Sequence, residues 1–124
     1  MIKHIVLLAP LLLPTAVLSQ AMDCSNPMTQ SAMNACAYQD WSEADDELNA
    51  TYKWAMTVAR GWSEGAATAL RDAQRTWIPY RDAACEAEGY LFEGGSMAPL
   101  IVSTCKAELT RRRTEDLRAV YDTN

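Results

Sequence analysis

Histidine is all but missing from this chain: the one copy is His4. Even that copy lies in a segment expected to be removed. Met1-Ile2-Lys3-His4 carries positive charge, Ile5 to Leu18 is apolar, and Ser19-Gln20-Ala21 offers small residues for cleavage, which is the pattern of a secretory leader. Cleavage after Ala21 leaves residues 22–124 with no histidine. Ser-His and Cys-His nucleophile pairs, histidine general bases and the commonest zinc ligand are excluded together. Catalysis would have to rest on carboxylates, lysines or arginines alone, so the reading is of a protein that is not an enzyme, with no catalytic residue, metal or cofactor assigned.

Other absences narrow the class further. The alternation of apolar and polar residues that marks strands appears nowhere. The leader's apolar run contains Pro10 and Pro14 and is about 14 residues long, short of the ~20 that span a bilayer, and no later segment is longer. Ala21-Met22-Asp23 before Cys24 does not resemble the Leu-x-small-Cys signal of bacterial lipoproteins, so no membrane anchor is expected. The acidic stretch Asp40-Trp41-Ser42-Glu43-Ala44-Asp45 lacks the glycine turn and ligand spacing of a calcium loop. There is no internal repeat, low-complexity tract or long linker, so residues 22–124 are expected to form one domain.

What remains is acidic and rich in cysteine for its size. Loss of Lys3 with the leader takes the net charge from −5 to −6. Nucleic acid and anionic membrane surfaces are thereby disfavoured as partners, whereas a basic protein would be attracted. The four cysteines, Cys24, Cys36, Cys85 and Cys105, all lie beyond the leader. An exported chain of this length with an even cysteine count reads as a disulfide framework, periplasmic or secreted.

Apolar residues at spacings of three and four predict three helices and an all-α fold, a small up-down-up bundle stapled at one end. The first helix spans about Gln30 to Arg60, entered at Thr29 as N-cap, with Met33, Ala37, Trp41, Ala44, Leu48, Tyr52, Ala55 and Ala59 inward and Gly61 and Gly65 as its close. The second, about Ala66 to Glu88, turns Leu70, Ala73, Trp77, Tyr80 and Ala84 inward and stops at Gly89. The third follows Gly94-Gly95-Ser96, carries Pro99 in its first turn and turns Val102, Cys105, Leu109, Arg113 and Val120 inward. This order gathers all four cysteines at one end. Of three possible connectivities, Cys24–Cys36 with Cys85–Cys105 is expected, because Cys36 falls on an outer flank of the first helix where the entering segment can reach it.

Three further features are candidates for function. Asp45, Asn49, Gln74, Arg81 and Arg113 fall on or near inner faces and are expected to form a buried polar network that fixes helix register, since an interior guanidinium must be paired. Glu43 and Asp46 belong to an acidic face of the first helix, expected to be solvated, that is a second candidate for partner contact. Tyr90, Leu91, Phe92 and Glu93 lie in the connection before the third helix. Leu91 and Phe92 are expected to fold back over the open end of the core; displayed outward, the four residues would instead contact a partner. Trp54 points off the main face of the first helix and is expected to pack under the third.

Asp45-Asp46-Glu47-Leu48-Asn49-Ala50-Thr51-Tyr52, the run Gln74-Arg75-Thr76-Trp77-Ile78-Pro79-Tyr80-Arg81-Asp82-Ala83-Ala84-Cys85, then Gly94-Gly95-Ser96, Cys105 and Leu109-Thr110-Arg111-Arg112-Arg113 together resemble the lysozyme inhibitor LprI-like family of exported bacterial proteins. The resemblance covers nearly all of residues 22–124. It implies a small, largely helical, cysteine-bearing protein, and the family's named member inhibits lysozyme. The partner it implies is a basic lysozyme-type glycosidase of the cell wall. A different protein partner, as for an exported stress-response or immunity module, is the alternative that the same sequence features accommodate.

Overall fold

The protein, seen here in a computed structural model that describes residues 22–122, is built from three α-helices with no strand among those residues. The expected leader, residues 1–21, lies outside them. Helix α1 runs Gln30–Trp62, α2 Glu64–Gly89 and α3 Ala98–Tyr121, with a single 3-10 turn, Tyr90–Phe92, before α3. At 1.5 Å per residue α1 is about 50 Å long.

Local chemistry sets the boundaries. Thr29, in extended conformation, caps α1 by accepting a hydrogen bond from the Ala32 amide at 3.1 Å. The break between α1 and α2 is one residue, Ser63, also extended. Its backbone N–H donates to the Ala59 carbonyl at 3.1 Å, and its hydroxyl accepts from the Ala66 amide at 3.0 Å. One residue thus closes one helix and opens the next. The expectation that Gly61 and Gly65 would end α1 was wrong, because both lie inside helices. A helical glycine costs only about 1 kcal/mol, less than packing and a serine cap return. Helix α2 also continues through Pro79, an exposed position.

With a one-residue turn, α2 runs antiparallel to α1, and α3 returns parallel to α1, against which it makes most of its contact. The ion pairs Asp40–Arg111 and Glu47–Arg118 each join residues 71 apart, which fixes the parallel register. The aliphatic core lies in the half nearer Ser63: Leu48, Ala55, Met56, Ala59, Ala67, Leu70 and Leu117, with Tyr52, Trp77 and Tyr121 packed against them. Trp62 stacks on Tyr121 at 5.1 Å and closes that end. The other half has no comparable aliphatic cluster. There the two bridges Cys24–Cys36 and Cys85–Cys105 hold the chain together.

Two helix faces differ from expectation. On α2 the buried residues are Ala67, Leu70, Gln74, Arg81, Cys85 and Gly89, while Tyr80 and Ala73 are exposed. On α3 they are Cys105, Ala107, Thr110, Thr114 and Leu117, leaving Val120 exposed and Leu109 and Arg113 half-buried. The stripe rotates by about one residue because polar side chains occupy the inner positions. Thr114 donates to the Thr110 carbonyl at 3.1 Å, and Thr110 accepts from Arg81. Trp54 stands beside Arg118 and Asp122 of the α3 end but stays partly exposed, on a shallow groove and not underneath the helix.

Candidate functional site

Arg81 occupies the middle of the bundle and is 4% exposed. Its Nη1 donates to Asp45 Oδ1 at 2.8 Å and to Thr110 Oγ1 at 3.2 Å, and its Nε donates to Asp82 Oδ1 at 3.0 Å. The guanidinium lies between two indoles, 5.5 Å from the Trp41 centroid and 5.2 Å from that of Trp77. A buried cation is tolerable only when its donors and faces are so occupied. Arg113 reaches Gln74 Oε1 at 3.0 Å and lies over the other side of the cluster, 6.0 Å from Trp77. Asn49 is exposed and donates to Asp45 Oδ2 at 3.4 Å. The five residues grouped by sequence therefore form two clusters, Asp45–Arg81 with Asn49 at its edge and Gln74–Arg113, with Trp77 between.

Asp82, Thr110, Trp41 and Trp77 complete the layer and were not foreseen as partners. Asp82 adjoins Arg81, and consecutive helical residues do not normally share a face; the long arginine side chain curls back to reach it. Lys106 pairs with Asp82 at 3.6 Å and lies 4.8 Å from the Trp41 centroid. With its cations engaged by carboxylates and rings, this layer has the chemistry of a tie between helices. No group of three or more metal-ligating side chains occurs among the described residues.

The acidic face of α1 is partly neutralised by α3. Asp40 pairs with Arg111 and raises the pKa of that guanidinium, chiefly through their hydrogen bond; Glu47 pairs with Arg118 at 2.8 Å. These pairs are about half exposed and contribute roughly 0–1 kcal/mol each. Glu43 accepts from Gln39 at 2.9 Å and helps to raise the Arg111 pKa; both Glu43 and Asp46 are exposed and form no ion pair among the described residues.

The disulfide end differs in character. Leu91 is 81% exposed and Tyr90 68%, while Phe92 at 37% is partly covered. Leu91 does not fold back over the core; with the end already closed by Cys85–Cys105, the 3-10 turn directs it outward. The turn is held firmly. Glu93 N donates to Tyr90 O at 3.2 Å, Gly95 N to Phe92 O at 2.8 Å, and Asn34 of α1 to Ser96 O at 3.0 Å. Gly94 supplies the positive φ of 75° that the reversal needs. Neither of the segments meeting here, residues 22–52 and 82–105, contains a single lysine or arginine. Both contribute carboxylates, and Asp23 is held below the usual carboxylate pKa by hydrogen bonds from the Ser25 hydroxyl and amide. This end is therefore a rigid, acidic surface with an apolar apex.

Comparison with known proteins identifies relatives by sequence. The family model described as lysozyme inhibitor LprI matches residues 21–117. An uncharacterized protein of Rhizobium meliloti (strain 1021) is 42% identical over 110 residues, covering 81% of this chain and 79% of its own length. No solved structure matches. The family match spans α1, α2 and all but the last turn of α3, with both disulfides and the Arg81 layer, and on that ground the chain belongs to the lysozyme inhibitor LprI family.

Proposed function

We propose that this chain is an exported protein that binds and inhibits a lysozyme or a related cell-wall glycosidase, protecting the bacterial wall. The family match over residues 21–117 carries the reading. Two physical features support it. Two disulfides and no free cysteine among the described residues suit an oxidising compartment outside the cytoplasm, in line with an N-terminal leader at residues 1–21. The net charge of −5 favours encounter with a strongly basic enzyme. The role is binding and not catalysis: the cations and carboxylates of the interior are engaged with one another.

The test is lysis of bacterial cell walls by a basic c-type lysozyme in the presence of this protein, recovered from the exported fraction with its disulfides formed. Activity should fall towards zero as inhibitor approaches enzyme in molar ratio. Undiminished lysis at micromolar inhibitor and low salt would refute inhibition of that enzyme class.

A further inference from the structure

Where α2 ends and α3 begins, an open depression of about 380 Å³ adjoins the exposed turn. Buried and half-buried Gly89, Val102 and Ala98 make its apolar floor, Tyr90 stands beside it, and Glu86 and Glu93 mark its rim. Among the described residues neither carboxylate has an ion pair or a side-chain hydrogen bond. The floor depends on Gly89: a Cβ there would lie 2.6 Å from Val102 Cγ2, so the close approach of α2 to α3 that shapes the depression needs glycine.

Two unneutralised carboxylates beside an apolar floor and an aromatic ring match the parts of one kind of side chain. The methylene stem of an arginine or lysine would lie on the floor. Its head group would meet Glu86 and Glu93 in charge-assisted hydrogen bonds, with the Tyr90 ring available for a cation–π contact. Arginine fits better, since its planar fork can serve two carboxylates at once.

We propose that this depression receives an arginine or lysine of a cationic protein, with Leu91 as the adjoining apolar contact, and that the disulfide end is thus the docking face for the lysozyme-type enzyme. The inference rests on the inhibitory reading above and adds the surface and its chemistry. Charge complementarity selects the occupant. The segments forming this end hold no lysine or arginine; of the cations nearest to it, Arg81 and Lys106 are engaged by Asp45 and Asp82 and Arg111 by Asp40, while Lys53, Arg60, Arg71 and Arg118 lie in the half nearer Ser63. A basic enzyme is therefore drawn to the disulfide end first, whereas nucleic acid and anionic lipid are repelled from it.

The experiment measures binding of a c-type lysozyme at low salt to the wild type, to Glu86→Gln/Glu93→Gln, to Leu91→Ala and to Glu115→Gln, a carboxylate of the far half of α3. The two variants at the disulfide end should each bind about thirtyfold more weakly or worse, at unchanged melting temperature. The double variant should also associate more slowly and with a flatter salt dependence. Glu115→Gln should bind as wild type. Unchanged binding by the first two variants, above all if Glu43→Gln/Asp46→Asn is weakened instead, would overturn the docking face and leave inhibition standing. A wild type that binds no lysozyme overturns both. Head-to-tail self-association abolished by Glu86→Gln/Glu93→Gln, with no lysozyme bound, would assign the depression to a second copy and also overturn the proposal.

Discussion

At the scale of single residues, Arg81 is where the fold is most exposed to damage. Arg81→Met would strand Asp45 and Asp82 and remove the cation between Trp41 and Trp77. Because both carboxylates keep access to water, the expected loss is about 3 kcal/mol, at the lower edge of what breaking a buried pair costs. Chemical denaturation checks it, and an equally stable variant would show that Arg81 does not tie the helices. Gly89→Ala is the second case. Alanine is the better helix former by about 1 kcal/mol, yet its Cβ would meet Val102, whose branched side chain has little rotameric freedom in a helix. Overpacking costs about 1–3 kcal/mol, so the melting temperature should fall, not rise. Arg81 was legible in the sequence because a guanidinium on an inner face demands a carboxylate. Thr110 and Asp82 were not, because threonine does not signal burial and adjacent residues do not signal contact.

At the scale of elements, the periodicity located α1 and α2 to within about two residues and placed α3 after Gly94-Gly95-Ser96 with Pro99 in its first turn, since long amphipathic segments have one way to bury their apolar faces. It mistook some of the residues of α2 and α3 that face inward. Tyr80 and Val120 look like core by hydrophobicity, but Arg81, Thr110 and Thr114 take inner positions by satisfying one another, and Gln74 by accepting from Arg113. The end of α1 was misplaced for a related reason: glycines read as breakers, whereas Ser63 breaks the helix by capping both sides. The cysteine pairing followed from the up-down-up order, which leaves Cys36 facing the entering segment and Cys85 facing Cys105. The half of the bundle around those bridges lacks the aliphatic cluster found near Ser63, so the staple should matter. Replacing Cys85 and Cys105 together with alanine should lower the melting temperature by on the order of 10 °C, given a closed loop of 20 residues worth about 3 kcal/mol and the usual scaling for a small domain. Identical melting curves for wild type and the double variant would show that packing alone holds this end.

At the scale of the molecule, charge and stability are divided between two ends. One end carries the aliphatic core and a mixture of both signs; the other carries the disulfides, the outward turn at Leu91, and Glu86 and Glu93, which have no ion pair among the described residues. The acidic composition was legible from the sequence, but its concentration at one end was not, because it arises only when residues 22–52 and 82–105 are brought together. Such a distribution aligns a basic partner before contact, and screening removes the alignment once the Debye length shrinks from about 10 Å at 0.1 M salt to about 3 Å at 1 M. The most direct measurement is the dose dependence of c-type lysozyme inhibition at low and at high ionic strength. The expected result is near-complete inhibition at an equimolar ratio in low salt, with a markedly weaker effect at 1 M. Full lysozyme activity at micromolar excess of this protein, at both ionic strengths, would contradict it.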